Sequence, residues 1–279
     1  PRSVLLSFDD GYLDNYVYAW PILQKYGHKA VVFAVTERLD NAPHLRPTLH
    51  DVWAGAEPAV LPPVDTPMHQ HEQGYEERRD LFFSWAEARQ MEQSGVVSVA
   101  AHSARHLAVF ASPQWGLPDR HARPDLSLRF HIPGTRRNTF YHVDGPNIWG
   151  LPRFKERPAL YAQAWLPCPD FVEAIQQLVP QTPEAARAFF QHPVAVAQLE
   201  KLVAAWPVDR LLTPETDTAR QTRIRDELTL CATTLRRELG HPVASLCWPW
   251  GSGSRPALEA GQKLGFSVYY STHMGANPP

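Results

Sequence analysis

Val4-Leu5-Leu6-Ser7-Phe8-Asp9-Asp10-Gly11 is the stretch from which the rest of the chain is read. Its apolar run ends in two carboxylates and a glycine. It reads as a buried strand of a parallel sheet that delivers polar groups at its carboxyl end. From Tyr16 to Tyr26 apolar residues recur at helical spacing and stop at Gly27, a residue suited to closing a helix. Ala30 to Val35 is a second apolar run. A strand, a helix and a strand within 35 residues predict the α/β class, with a parallel sheet and helices outside it.

The same grammar returns twice downstream. Ser84-Trp85-Ala86-Glu87 is a capping box that opens a helix running to about Ser94. Gly95 ends that helix, and Val96 to Ala101 is a third strand that delivers His102. Glu215 to Leu239 reads as a long helix closed by Gly240. Val243 to Trp248 is a further strand ending in Pro249-Trp250-Gly251, followed by a helix over Ala257–Leu264 and a last strand over Ser267–Thr272. Residues 36–80 read as loop with one short helix. Residues 107–158 read as irregular, with short strands near Leu126–Phe130 and Thr139–Val143. Asp170–Leu178, Pro183–Gln191 and Val194–Ala205 read as helices.

Composition narrows the function. With 27 Lys and Arg against 29 Asp and Glu the formal net charge is −2, so no basic field points to nucleic acid or an anionic membrane. No apolar run is long enough to span a bilayer. The 27 prolines mark two stretches, Pro43–Pro67 and Pro113–Pro133, as long loops. Cys168, Cys231 and Cys247 form no CxxC pair and are expected as buried thiols rather than ligands. No signal peptide is visible, and Pro1 followed so closely by a strand suggests a chain trimmed at its N-terminus.

Three segments carry chemistry, each at a predicted strand end. Adjacent carboxylates such as Asp9 and Asp10 repel one another and are costly to desolvate, a cost that a cation relieves. As neighbours their side chains diverge, so one can bind a metal while the other faces a substrate; taken alone, Asp-Asp-Gly is also ordinary turn chemistry. His102-Ser103-Ala104-Arg105-His106 puts two imidazoles four apart, on one face of a helical turn, which suits chelation of a single metal ion. Two His and one carboxylate make a three-ligand set with room for water, the pattern of catalytic zinc. Trp248-Pro249-Trp250-Gly251 is a rigid aromatic wall suited to a sugar face or a small acyl group.

Together these segments resemble the polysaccharide deacetylases, carbohydrate esterase family 4 with its NodB homology domain. Ser7-Phe8-Asp9-Asp10-Gly11 resembles that family's first motif, His102 to His106 its His-Ser/Thr-x-x-His motif, and Trp248 to Gly251 its Pro-Tyr/Trp-Gly motif. The resemblance implies a distorted (β/α)7 barrel. It covers about half the chain in blocks. Residues of about 107–214 have no counterpart in a minimal member, so the expectation is one domain over 1–279 carrying an insertion, loop-rich over 107–158 and helical over 159–214.

The resemblance also implies roles. Asp9 would be the general base, and Asp10, His102 and His106 would hold a divalent metal, Zn2+ first, with Co2+, Ni2+ or Fe2+ as alternatives. The backbone N–H of Trp250 would donate to the oxyanion, while Trp248, Pro249 and Trp250 would line the substrate pocket. The reaction implied is removal of N-acetyl groups from an amino-sugar polysaccharide or oligosaccharide, outside the cytoplasm. Two features depart from the pattern. Many members tether the base with an arginine in the third motif, where this chain has Cys247; Arg153 in the insertion is the expected replacement. The late Leu-x-His motif that supplies the general acid is not recognisable, and His273 is the candidate for that role. The third motif most resembles the subgroup of poly-β-1,6-N-acetylglucosamine deacetylases. Two other functions fit: an amide or formamide hydrolase acting on a small or lipid-linked substrate, and an inactive carbohydrate-binding domain.

Overall fold

The computed structural model describes residues 4–64, 70–71, 74–75, 78–115, 129–133 and 148–273. In chain order, β1 is Leu6–Asp10, α1 is Trp20–Tyr26, β2 is Ala30–Ala34 and α2 is Leu49–Trp53. A two-residue hairpin, β3 (Gln70–His71) and β4 (Gly74–Tyr75), precedes α3 (Trp85–Gln93) and β5 (Val97–Ala101). Then come β6 (Ala108–Trp115), β7 (Phe154–Pro158), β8 (Trp165–Pro167), α4 (Pro169–Leu178), α5 (Pro183–Gln191) and α6 (Pro193–Ala205). β9 (Leu212–Pro214), α7 (Asp217–Leu239), β10 (Ser245–Cys247), α8 (Arg255–Lys263) and β11 (Val268–Tyr270) complete the list.

Local chemistry explains most boundaries. Before α1, Asn15–Ala19 winds as a wider π-helical turn, and α1 closes where Gly27 takes φ 68°. In the capping box of α3, Ser84 Oγ accepts from Glu87 N at 3.2 Å and Glu87 Oε2 accepts from Ser84 N at 2.7 Å. The same Glu87 carboxylate is fully buried and gripped by Arg46, whose Nε and Nη2 donate at 2.9 and 2.6 Å, which fastens the 41–48 loop to the head of α3. Pro169, Pro183 and Pro193 open α4, α5 and α6, a first-turn position where a missing N–H costs no helical bond.

The chain divides into two compact units. Unit 1 is Pro1–Met68, Glu77–His106 and Gln221–Pro279; unit 2 is His69–Glu76 and Leu107–Arg220. Unit 1 holds a five-stranded all-parallel sheet in the order β1-β2-β5-β10-β11, so the predicted α/β class with a parallel sheet is borne out. The register runs Asp10 to Ala34 to Ala101 to Leu246, which aligns the carboxyl ends of four strands.

One expectation is corrected: β1 is not buried. Among the described residues it is the sheet's edge strand, and Leu5 and Leu6 are exposed. An apolar run cannot by itself distinguish a central strand from an edge strand that has neighbours on one flank only. Val32, Phe33 and Val99 of the sheet, Met91 of α3, and Leu228 and Leu235 of α7 are buried in the core.

Unit 2 is built differently. It pairs β6 with β7 and β8 with β9, both antiparallel, and α4, α5 and α6 surround a core that includes Phe110, Trp149, Phe154, Phe171, Ile175 and Leu199. The three helices lie within a residue of their predicted spans, but β6 to β9 were not anticipated. Of the short strands expected, residues 126–128 and 139–143 lie outside the described residues, and Phe130 makes only an isolated bridge to Pro152.

Candidate metal centre

Asp10, His102, His106, Cys247 and Trp250 all stand at or just past the carboxyl ends of β1, β5 and β10. The backbone there is unusual. Among the described residues, the non-glycine positions with positive φ are Asp10 (69°), Ser103 (65°), His106 (53°) and Trp250 (51°). Each such conformation costs an L-residue free energy and persists only where surroundings impose it, which singles out these four positions as candidates for a functional site. The segment from His102 to His106 is therefore a loop and not the helical turn expected from its i, i+4 spacing. Its two imidazoles are aimed together by two left-handed residues.

The loop is held from several sides. Ser103 Oγ accepts from His106 N at 3.0 Å, and the Ser103 and Ala104 carbonyls accept from Thr36 N and Glu37 N at 3.3 and 2.9 Å. From α7, the buried carboxylate of Glu227 accepts from both Arg105 N (2.7 Å) and Arg105 Nε (2.8 Å). Arg105, the residue before His106, is thereby clamped within the loop. Gly11, at φ 85°, turns the chain after the carboxylate pair; a Cβ there would meet Leu39 Cδ2 at 2.8 Å.

The three groups at the centre face one another. Asp10 Oδ1 lies 3.9 Å from His102 Nε2, 3.7 Å from His106 Nε2 and 3.7 Å from Arg38 Nη1. None of these is a hydrogen bond, and Asp10 Oδ1 is a buried oxygen with no hydrogen-bond partner. Such an atom costs about 1–3 kcal/mol unless something else satisfies it. Ligands on one Zn2+ stand roughly 3.0–3.5 Å apart, so the gap suits a cation after a small contraction. His102 contributes a second sign. Its Nδ1 is 2.9 Å from the Cys247 carbonyl, which can only accept, so in the neutral ring the proton sits on Nδ1 and the Nε2 lone pair is left for a ligand. The residues present thus fit a divalent metal, and a triad of Asp10, His102 and His106 would hold it.

Asp9 points elsewhere. It shares a second cluster with His102 and Cys247, whose ligand atoms all lie within 4.8 Å of one another. β1 and β10 are three positions apart in the sheet, about 14 Å if it were flat. Short Asp and Cys side chains cannot span that distance, so the sheet curls. Burial pushes the Cys247 thiol up to about 12, with the Asp9 carboxylate beside it adding to the effect. The expectation of buried thiols holds for Cys231 alone; Cys168 and Cys247 are half-buried.

The remaining candidates are placed as follows. Trp248 is buried and stacked on Tyr269, with ring centroids 5.2 Å apart, whereas Trp250 is half-exposed and leans on the His106 ring at 4.1 Å. Pro249 is buried in the turn between them. His273 is exposed and belongs to neither ligand cluster. Its neighbour Thr272 packs so closely on Gly251 that a Cβ there would meet Thr272 Oγ1 at 2.1 Å. Arg153 lies in unit 2. The guanidinium placed at Asp10 is that of Arg38, which is 5% exposed. Sequence reasoning missed Arg38, Glu227 and the Cys247 side chain. Arg38 follows the end of β2 as His102 follows β5, and active-site residues of parallel α/β folds come from such ends. Glu227 breaks an apolar stripe of Ile224, Leu228, Cys231 and Leu235, a sequence-level sign of a buried carboxylate.

Comparison with known proteins gives this geometry a context. Residues 1–129 match the family model described as Polysaccharide deacetylase. Over 44 residues the chain is 48% identical to the "Putative polysaccharide deacetylase YxkH" of Bacillus subtilis (strain 168), covering 16% of each protein. Among solved structures, the chain is similar to the BpsB deacetylase domain of Bordetella bronchiseptica (22% identity, TM-score 0.54). That likeness covers 99% of this chain and 66% of the other. It is also similar to a de-N-acetylase of Aggregatibacter actinomycetemcomitans (19% identity, TM-score 0.50; 96% and 62% covered). The chain therefore spans slightly less than two thirds of each of these structures, and the likeness speaks to fold. The resemblance to polysaccharide deacetylases drawn from the motifs is borne out.

Proposed function

We propose that the chain is a metal-dependent hydrolase that removes N-acetyl groups from an amino-sugar polysaccharide or oligosaccharide, releasing acetate. The observation that carries this reading is the buried, unbonded Asp10 Oδ1 facing His102 Nε2 and His106 Nε2 at 3.9 and 3.7 Å. With it goes the distorted (β/α)7 barrel, of which the five parallel strands are the part bearing the site, and the view of residues 107–214 as an insertion. It also implies an extracytoplasmic location; among the described residues no helix is long and apolar enough to cross a membrane.

A divalent cation held by Asp10, His102 and His106, Zn2+ before Co2+, Ni2+ or Fe2+, would supply Lewis acidity toward the amide carbonyl and a water. The chain's own residues do the rest. Asp9, adjacent in sequence but in a separate cluster from Asp10, accepts the proton of the attacking water. The Trp250 backbone N–H, at a turn with φ 51°, is assigned to the developing oxyanion. The Trp250 ring, half-exposed beside His106, forms the apolar wall for the acetyl methyl, with Trp248 and Pro249 behind it. His273 serves as proton donor to the leaving amine, a role supported by the packing of Thr272 on Gly251, which puts His273 one residue from that turn. Arg153 is kept as the tether of the base, with Arg38 adding positive charge at Asp10.

Acetate release from N-acetylglucosamine oligomers of increasing length, with metal-free protein and after adding Zn2+ or Co2+, tests the reading. Release should require the ion and grow with chain length. Rates indifferent to length would favour a small-substrate amidase, and binding without release would indicate a retired enzyme. His102→Ala should lose its metal by elemental analysis; unchanged metal content would remove the ligand assignment.

A further inference from the structure

The curled sheet presents two ligand sets that share one imidazole. Asp10, His102 and His106 offer only oxygen and nitrogen, whereas Asp9, His102 and Cys247 include sulfur. The His102 Nδ1 is 2.9 Å from the Cys247 carbonyl, so Nε2 is the ring nitrogen left open to an ion, and both sets draw on this one imidazole. The two sets are therefore alternatives. We propose that Asp9, His102 and Cys247 form a second site, for a thiophilic divalent cation, and that an ion held there removes Asp9 from service. The inhibitory consequence rests on the reading of Asp9 as the base; the site itself does not.

The chemistry favours a soft ion. Thiolate selects soft or borderline metals, while the oxygen and nitrogen set is open to harder ones. Ligand atoms within 4.8 Å need to draw in by about an ångström to reach bonding distance from a common ion, given a Zn–S length near 2.3 Å and Zn–O and Zn–N near 2.1 Å. On binding, the thiol loses its proton to buffer as the metal–sulfur bond forms. The ion's two positive charges then offset those of the thiolate and the Asp9 carboxylate. Without an ion the thiol keeps its proton, because burial and the neighbouring carboxylates disfavour a bare thiolate.

Cadmium is the probe. Metal-free protein is titrated with Cd2+ while the ultraviolet sulfur-to-metal charge-transfer band is followed in the wild type, C247S, C168S and H106A. The band should appear in the wild type, C168S and H106A and be lost in C247S. In cobalt-loaded wild type, acetate release should fall as cadmium is added. A wild type without the band overturns the site. So does a band that survives C247S or vanishes in C168S, since the sulfur would then be a different one, and so does loss in H106A, which would mean one merged site. If the band behaves as expected but no variant releases acetate, the deacetylase reading fails and the cation site stands.

Discussion

The two units of this chain place their unusual features differently. In unit 1 the non-glycine residues with left-handed backbone are Asp10, Ser103, His106 and Trp250, and the same unit contains both ligand clusters. In unit 2 the described residue with positive φ is Gly150, which bears that conformation without strain, and polar groups give way to a large aromatic core around Phe110, Trp149, Phe154 and Phe171. Unit 1 stores conformational energy at strand ends, and unit 2 lowers its free energy by burying apolar surface. Among the described residues strain and ligand geometry coincide in unit 1, and that coincidence, more than any single motif, makes the strand ends a candidate active centre.

The contrast can be broken by substitution. Asp9→Asn should cut acetate release on the order of 10³-fold, within the range general-base catalysis contributes, while elemental analysis still finds metal. A near-normal rate would take the base assignment away. In unit 2, Phe171→Ala opens a cavity in a fully buried position and should lower stability by about 3–5 kcal/mol in denaturant melts. Metal content should not change; if it falls, the units are not energetically separate.

Glu227→Gln tests whether the strained loop needs its clamp. The amide keeps an acceptor for Arg105 N but sets an N–H donor against Arg105 Nε, so metal affinity should weaken about 10–100-fold in a competition titration. Unaltered affinity would show that Ser103 and the β2 loop suffice. The smallest effect concerns His241, held by Glu92 at 2.8 Å, a hydrogen bond that raises the imidazole's affinity for its proton. A raised folded value stabilises below the ordinary histidine range and is lost as pH climbs through it. His241→Gln should therefore remove a slight decline in melting temperature as pH rises through and above the ordinary histidine range, worth under about 1 kcal/mol because the imidazole is half in solvent.

Much of this was legible beforehand where physics is local. Ser84 and Glu87 announced a helix start, and Gly27, Gly95 and Gly240 announced helix ends. Those signals act over four residues and need no knowledge of the fold. The proximity of Asp10, His102 and His106 was legible because each follows an apolar run that a parallel sheet aligns at one end. What escaped notice depends on partners far away in sequence. The edge position of β1 is fixed by which strands lie beside it, and the β6–β7 ribbon joins segments about forty residues apart. Arg38 and Glu227 gain meaning only once β2 and α7 are seen against the loop they serve. The loop at His102–His106 was misread as helical because i, i+4 spacing looks alike whether a turn is regular or built from two left-handed residues.

The Cys247 carbonyl that accepts from His102 Nδ1 also bears on kinetics. When neutral, that ring is committed to one tautomer before any ion arrives. Capture requires neither a ring flip nor relocation of a proton, so the on-rate should be governed by how fast an aquo ion sheds its water rather than by rearrangement of the protein. Since a main-chain oxygen provides this preparation, exchanging the side chain at position 247 would leave the histidine as ready as before.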